Sequence, residues 1–520
     1  MSSTGGTADP ATAITDADGV ATTTWTVPGT TGIAEFRANS GTTTRRVTTD
    51  VKAGAAARSN KLAGDAQEGM EGELLTNVVR ISVTDAFGNA VAGRAVNFVV
   101  TEGGGSATAS SATTAVDGSA STGWRLGIGT TPNKLEIRTG DLAPATFTAT
   151  SRTLAGTFAL TGSMSTARYW HTATLLRDGR VLVAGGDSST STHSGFATAE
   201  LYDPATGTFT RTANNMTVAR VGHSATLLAD GRVLIAGGND ARGRVSSVDL
   251  FDPVTNRFVQ TGNLVDAQTY HEGTLLRTGE VLITGGGTAS FREARAELYD
   301  PATGTFRYTG QYADVIPPDA YNGLVGISAT LLTNGKVLLA SLPRAEVYDP
   351  ATGTFAATGS MLTNIGQSYI SGRTATLLIN GKVLLTGGHH EDIGRFSKSE
   401  LYDPSTGIFL YTTSMPYPRD LHTSTLLASG KVLIAGGESY GNCDRTGCDI
   451  FSLAAAEVYD VNGTTWTAVA PMKVPREVQR ATLLKDGRVL ITGGVTFNGG
   501  LNRTVRYTVL NSAELYTERR

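Results

Sequence analysis

The chain has 520 residues and a formal net charge of -3 at pH 7, long enough for two to four domains. No basic run could follow a phosphate backbone, so nucleic acid is not an expected partner. No apolar run approaches the roughly eighteen residues of a membrane helix, and "MSSTGGTADPATA" lacks the charged start and apolar stretch of a signal peptide.

Gly and Thr are abundant, and β-branched residues sit between turn signals, which predicts an all-β chain. Near the front, "TDADGVATTTWTVPGTTGIAEFRA" from Thr15 is echoed by "TAVDGSASTGWRLGIGTTPNKLEIRT" from Thr114. In each, an Asp-Gly (Asp18-Gly19, Asp117-Gly118) leads to a Trp (Trp25, Trp124), then "GTT" and an alternating strand. The offset is 99 residues, the length of one immunoglobulin-sized sandwich. Between the copies, "VRISVTDAFGNAVAGRAVNFVVTEGGGS" reads as two period-2 runs around a Gly-Asn turn. These residues resemble the bacterial immunoglobulin-like domains of group 1, of the invasin and intimin type. The resemblance implies one complete sandwich over 53-152, preceded over 1-52 by the second half of another. On that reading the chain is the C-terminal part of a longer one. It also implies a stalk role at an extracellular or bacterial surface, with Trp25 and Trp124 as core residues and no shared active site.

From Ala173 onward one stretch recurs seven times, beginning at Ala173, Ala225, Gly273, Ala329, Ala375, Ser424 and Ala481, a period of 46 to 57 residues. Each unit predicts four short strands. Strand A ("HTATLL") turns through a residue pair ending in Gly, such as Asp178-Gly179, into strand B ("RVLVAGG"); strand C is "AELYDP" and strand D follows "ATGTF". A Gly-Gly follows strand B in six units, and unit four reads Ala340-Ser341 there. This ordered pattern resembles the kelch motif and implies a seven-bladed β-propeller over 153-520. Unit seven ends after its strand C, and "GTFALTGSM" at 156-164 has the form of the missing strand D. That segment is predicted to close the ring, which removes exposed sheet edges.

The A-B turns keep one length, whereas the span from Gly-Gly to the strand-C acid runs through 14, 11, 11, 5, 12, 20 and 20 residues. Variable loops on a rigid scaffold are where ligands usually bind, so that face is the expected binding surface. Its aromatics are Trp170, Phe196, Phe291, Tyr312, Tyr321, Tyr369, Phe396, Tyr440, Phe451, Phe497 and Tyr507, side chains suited to sugars and to protein partners alike. Arg168, Arg220, Arg419 and Arg476 recur three residues before His171, His223, His422 and Gln479, and either ring the channel mouth or tie blades together. The strand-C acids Glu200, Asp249, Glu297, Glu346, Glu400, Glu457 and Glu514 recur in every unit, which suits a structural bond rather than catalysis. The recurring histidines are expected to be satisfied by hydrogen bonds. Cys443 and Cys448, the two cysteines of the chain, are spaced to close a small disulfide loop, which would imply an oxidising compartment. "HHED" at His389, His390, Glu391 and Asp392 is the densest set of metal-ligand types, though adjacent side chains seldom converge on one ion.

These features lead to a non-enzymatic, monomeric binding or adhesion protein without a cofactor, its loop face holding an extracellular glycan or protein. The alternative is an enzyme. "TYHEGTLLRTGEVLITGGG", Thr269 to Gly287, resembles the Tyr-His segment of galactose oxidase and related radical-copper oxidases. That resemblance implies copper ligation by Tyr270 and His271. The family also needs a second tyrosine cross-linked to a cysteine and a second histidine from a domain after the propeller.

Overall fold

The computed structural model describes residues 2-519 apart from 4-5, 128-131, 153, 190-193, 289-294, 312-327, 341-344, 363-369, 391-393, 445-446 and 500-505. Every regular element among the described residues is a β-strand. Two compact units divide the chain at Met1-Leu154 and Ala155-Arg520.

In the first unit, a five-stranded sheet and a three-stranded sheet contribute to one core. The alternation read in the sequence puts Val79, Ile81 and Val83 of strand Val79-Thr84 inward, against Phe98, Ile137 and Phe147 of the larger sheet. Trp124 is fully buried there, as its core reading requires. Trp25 is only half-buried, with its ring 5.6 Å from that of Phe36.

Of the eight four-stranded antiparallel sheets among the described residues of the second unit, seven are the repeat units. Their A strands are neighbours in cyclic order: Thr172-Leu175, Ser224-Leu227, Gln268-Leu275, Ser328-Leu331, Thr374-Leu377, Thr423-Leu426 and Arg480-Leu483, the last lying beside the first. This is a β-propeller with the A strands around its axis, as the repeat predicts. Each B strand is buried along its described length, as at Val181-Ala184 and Val432-Ala435, because it is sandwiched between neighbouring blades. In five blades the tyrosine of strand C fixes the outer seam. Tyr202, Tyr299, Tyr348, Tyr402 and Tyr459 bond a threonine hydroxyl of the preceding strand D at 2.7 to 3.1 Å.

The ring closes where the sequence places the closure. Gly156-Leu160 pairs antiparallel with Ala513-Glu518, and Phe158 packs 5.3 Å from Tyr516. Blade four corrects the alignment read from the sequence. Ala340 pairs with Ser328 as Ala184 pairs with Thr172, so Ala340 is the last strand residue. The glycine positions therefore fall on Ser341 and Leu342, outside the described residues.

Candidate functional site at the channel mouth

The residue just before each histidine position adopts a left-handed backbone: Trp170 (φ 51°), Gly222 (68°), Tyr270 (56°), Gly372 (64°), Leu421 (54°) and Val478 (55°). Four of the six are not glycine, which is uncommon and strained, so neighbouring bonds must hold them there. Those bonds run from blade to blade. The N-H of Tyr270 donates to the Gly222 carbonyl at 2.7 Å, that of Gly222 to Trp170 at 3.3 Å, and that of Val478 to Leu421 at 3.1 Å. The result is a girdle at the end of the A strands where strand B ends and the variable B-C connections begin, around an axial cavity of about 440 Å³. Gly222 has a local reason. A Cβ there would come within 2.8 Å of the Tyr270 ring, so the glycine lets Tyr270 lean over blade two and meet Trp170 edge-on, with ring centroids 5.1 Å apart. Burial raises the Tyr270 hydroxyl pKa, helped by the Asp187 carboxylate.

One residue further on, each side chain turns into the seam instead. His223 Nε2 bonds Thr172 Oγ1 at 3.0 Å, His271 bonds Ser224 at 2.9 Å, His422 bonds Thr374 at 3.0 Å, and His171 bonds Thr492 at 2.9 Å across the closure. Each therefore staples its blade to the preceding one, and Gln479 does the same through the Ala435 carbonyl at 2.7 Å. This contact explains the first glycine of the Gly-Gly pairs: a Cβ at Gly185 would lie 2.5 Å from His223 Cε1. Burial depresses all four histidines, His271 to about 4 and His422 to about 3, so they stay neutral.

The four recurring arginines, read as either ringing the channel mouth or tying blades together, do neither. Arg168, Arg220, Arg419 and Arg476 are fully buried, and each pairs with the strand-C acid of its own blade: Glu200 at 3.0 Å, Asp249 at 2.7 Å, Glu457 at 2.7 Å and Glu514 at 2.8 Å. Each also donates to the carbonyl of the first glycine of the pair, as Arg168 does to Gly185 at 2.7 Å. The acids accept backbone N-H groups from the D-A connection, such as Ser165 on Glu200 at 2.8 Å. A ligand cannot reach these guanidinium groups, and they tie each blade to itself rather than to its neighbour. Blade five makes the same pair from the histidine position, Arg373 to Glu400 at 2.9 Å.

Of the other predicted ligand residues, Trp170 lines the cavity. Phe196 lies half-buried 5.6 Å from the Arg168 guanidinium, and Phe396 is buried. Phe451 is half-buried, and Tyr440 packs 4.2 Å from the Arg395 guanidinium. Phe291, Tyr312, Tyr321 and Tyr369 lie outside the described residues, as do Glu391 and Asp392. Cys443 and Cys448 stand directly opposite each other on strands Glu438-Asp444 and Gly447-Ser452; their side chains lie outside the description. Those strands join Val495-Gly499 and Arg506-Val509 in an eighth four-stranded sheet, so the two longest B-C connections are built together.

Sequence reading missed two groups. Inside the channel, Glu272 and Arg480 stand two residues past Tyr270 and Val478, where the other blades carry Thr172, Ser224, Ser328, Thr374 and Thr423. Confinement by the ring raises the Glu272 carboxyl pKa and lowers that of Arg480, each opposed by the other's charge. The signal was present as a departure from hydroxyl residues at one repeat position. The second group lies under the eighth sheet. Arg395 is held by Asp420 at 2.5 Å and Glu438 at 2.5 Å, beside Glu477, whose pKa burial and the neighbouring carboxylates push up to about 8. These residues come from three blades, and no linear pattern joins them.

No protein-family model matches the chain, and no curated protein matches it. Among solved structures, it is similar to a fungal alcohol oxidase of the AA5 family in complex with copper. The TM-score is 0.55 and the identity 18%, over 70% of this chain and 76% of that one. The likeness is one of fold. It corrects the reading of the chain as a non-enzymatic adhesion protein, because it sides with the oxidase alternative.

The described residues supply part of a copper set, not a complete one. Tyr270 lines the channel, but His271 Nε2 is engaged by Ser224 in the seam, and no group of three or more His, Cys, Asp or Glu fit for a metal occurs among the described residues.

Proposed function

We propose that the channel mouth is the functional site and that the chain is an oxidase acting on a hydroxyl of a small alcohol or sugar. The fold likeness to an alcohol oxidase supports the class of reaction. The observation that carries the location is Tyr270, a non-glycine residue kept at φ 56° by an inter-blade hydrogen bond and packed against Trp170 above the channel. A copper bound here would supply the one-electron chemistry of that oxidase class. Tyr270 would face it, and His271 could join only by leaving Ser224. What the chain's own residues do is bind and orient: Trp170 and Tyr270 offer flat apolar faces with polar tips to a hydroxylated substrate.

Copper content and peroxide release, measured on primary alcohols and hexoses, test this reading. Stoichiometric copper with turnover that is lost in Tyr270→Phe is expected. Protein that takes up no copper and releases no peroxide would overturn it.

The unit Met1-Leu154 is further proposed to be of the bacterial immunoglobulin-like type, split at 1-52 and 53-152. An extracytoplasmic location with a Cys443-Cys448 disulfide goes with it. The two-sheet core around Trp124 and the opposed cysteines support these readings.

A further inference from the structure

Along each A strand, the second residue past the girdle faces the axis. Five blades place a hydroxyl residue there, and two break the pattern with opposite charges, Glu272 on blade three and Arg480 on blade seven. These blades lie nearly across the ring from each other. A scaffold that repeats seven times has no need of such a departure, and a charge confined in a narrow channel costs hydration.

Neither charge is neutralised by a salt bridge among the described residues, and the two only feel each other's field across the channel. Arg480 uses only its Nε, which donates to the His171 carbonyl at 2.7 Å, and its guanidinium carbon stands 5.9 Å from the Trp170 ring centroid. Glu272 makes no hydrogen bond among the described residues. A metal cation drawn to Glu272 would meet the guanidinium, and a simple anion drawn to Arg480 would meet the carboxylate. The occupant that both groups favour carries one charge of each sign.

We propose that the channel below Tyr270 binds a small zwitterion of the amino-acid type, Glu272 taking its ammonium group and Arg480 its carboxylate. The cavity of about 440 Å³, lined by Glu272 and Arg480 together, accommodates such a molecule. This site does not rest on the oxidase reading, because it is read by binding without turnover.

Isothermal titration calorimetry of the full chain with glycine, L-alanine and 4-aminobutyrate tests it, with L-alaninamide and L-lactate as probes lacking one charge. At least one zwitterion is expected to bind saturably, with the single-charge probes about tenfold weaker or worse. Glu272→Gln and Arg480→Gln should each weaken the zwitterion by about tenfold. Arg480 also holds a seam carbonyl, so its variant is judged only if its melting curve is that of a folded chain; Glu272→Gln touches no seam and carries the test alone if needed. Failure of all three zwitterions to bind, or unchanged affinity in Glu272→Gln, would overturn the proposal. Peroxide assays read the mouth and calorimetry reads the channel, so the two readings fail separately.

Discussion

The seams between blades and the wall of the channel are built from the same short strands, yet they follow opposite rules. In the seam, His223, His271 and His422 do one job three times over, each bonding a hydroxyl of the preceding blade. On the channel wall, Glu272 and Arg480 replace the hydroxyl residue of the other blades with opposite charges, and neither has a salt-bridge partner among the described residues. Repetition therefore marks what holds the ring together. Departure from it, at a position facing open space, marks what the ring is for.

Perturbing the seam should cost far more stability than perturbing the wall. Arg220→Ala leaves Asp249 buried without its cation, so a loss of about 3 to 5 kcal/mol is expected in denaturant unfolding of the propeller. A loss below about 1 kcal/mol would show that the pair is not a brace. His223→Ala removes a hydrogen bond and leaves a void against Gly185, for an expected loss of about 1 to 3 kcal/mol. An unchanged unfolding curve would contradict the staple.

The pH dependence separates two parts of the same face. The seam histidines have folded pKa values below their unfolded ones, so their contribution is complete above about pH 6.5 and is lost as pH falls toward 4. Glu477 behaves in the reverse sense. Its folded pKa is raised to about 8, so the folded state keeps a proton that the unfolded chain releases, and stability falls as pH rises from about 4.5 to about 8. Glu477→Gln should therefore flatten the decline in melting temperature between pH 6 and pH 8.5. An equal decline in both proteins would remove Glu477 as its source. The smallest effect is expected at Glu272→Gln, within about 0.5 kcal/mol of the parent, because the side chain touches no seam. A large loss there would make Glu272 part of the scaffold.

The sequence made the ring legible because each blade repeats its own turn chemistry. Gly179, Gly231 and Gly279 all sit at positive φ in the A-B turn, and Tyr-Asp marks strand C in five of the seven units. Closure by 156-160 could be read from the missing strand D of unit seven. The arginines were harder. Their spacing allowed either the channel mouth or a tie between blades, but Arg168 and its counterparts turn to the strand-C acid of their own blade, a direction that spacing alone does not give. Glu272 and Arg480 were visible as letters but not as neighbours, since over 200 residues separate blades that meet only through the axis. The Arg395 cluster had no linear trace at all, being assembled by loops from three blades.

The central claim, that Tyr270 serves the site while tyrosines of the seam serve the fold, is tested most directly by comparing Tyr270→Phe with Tyr299→Phe. Peroxide release on primary alcohols and hexoses would be measured beside the melting temperature of each copper-loaded protein. The account predicts that Tyr270→Phe loses turnover by about a hundredfold or more with its melting temperature kept, whereas Tyr299→Phe, deprived of its bond to Thr261, melts lower but turns over normally. Full turnover in Tyr270→Phe, or none in the parent protein, would contradict it.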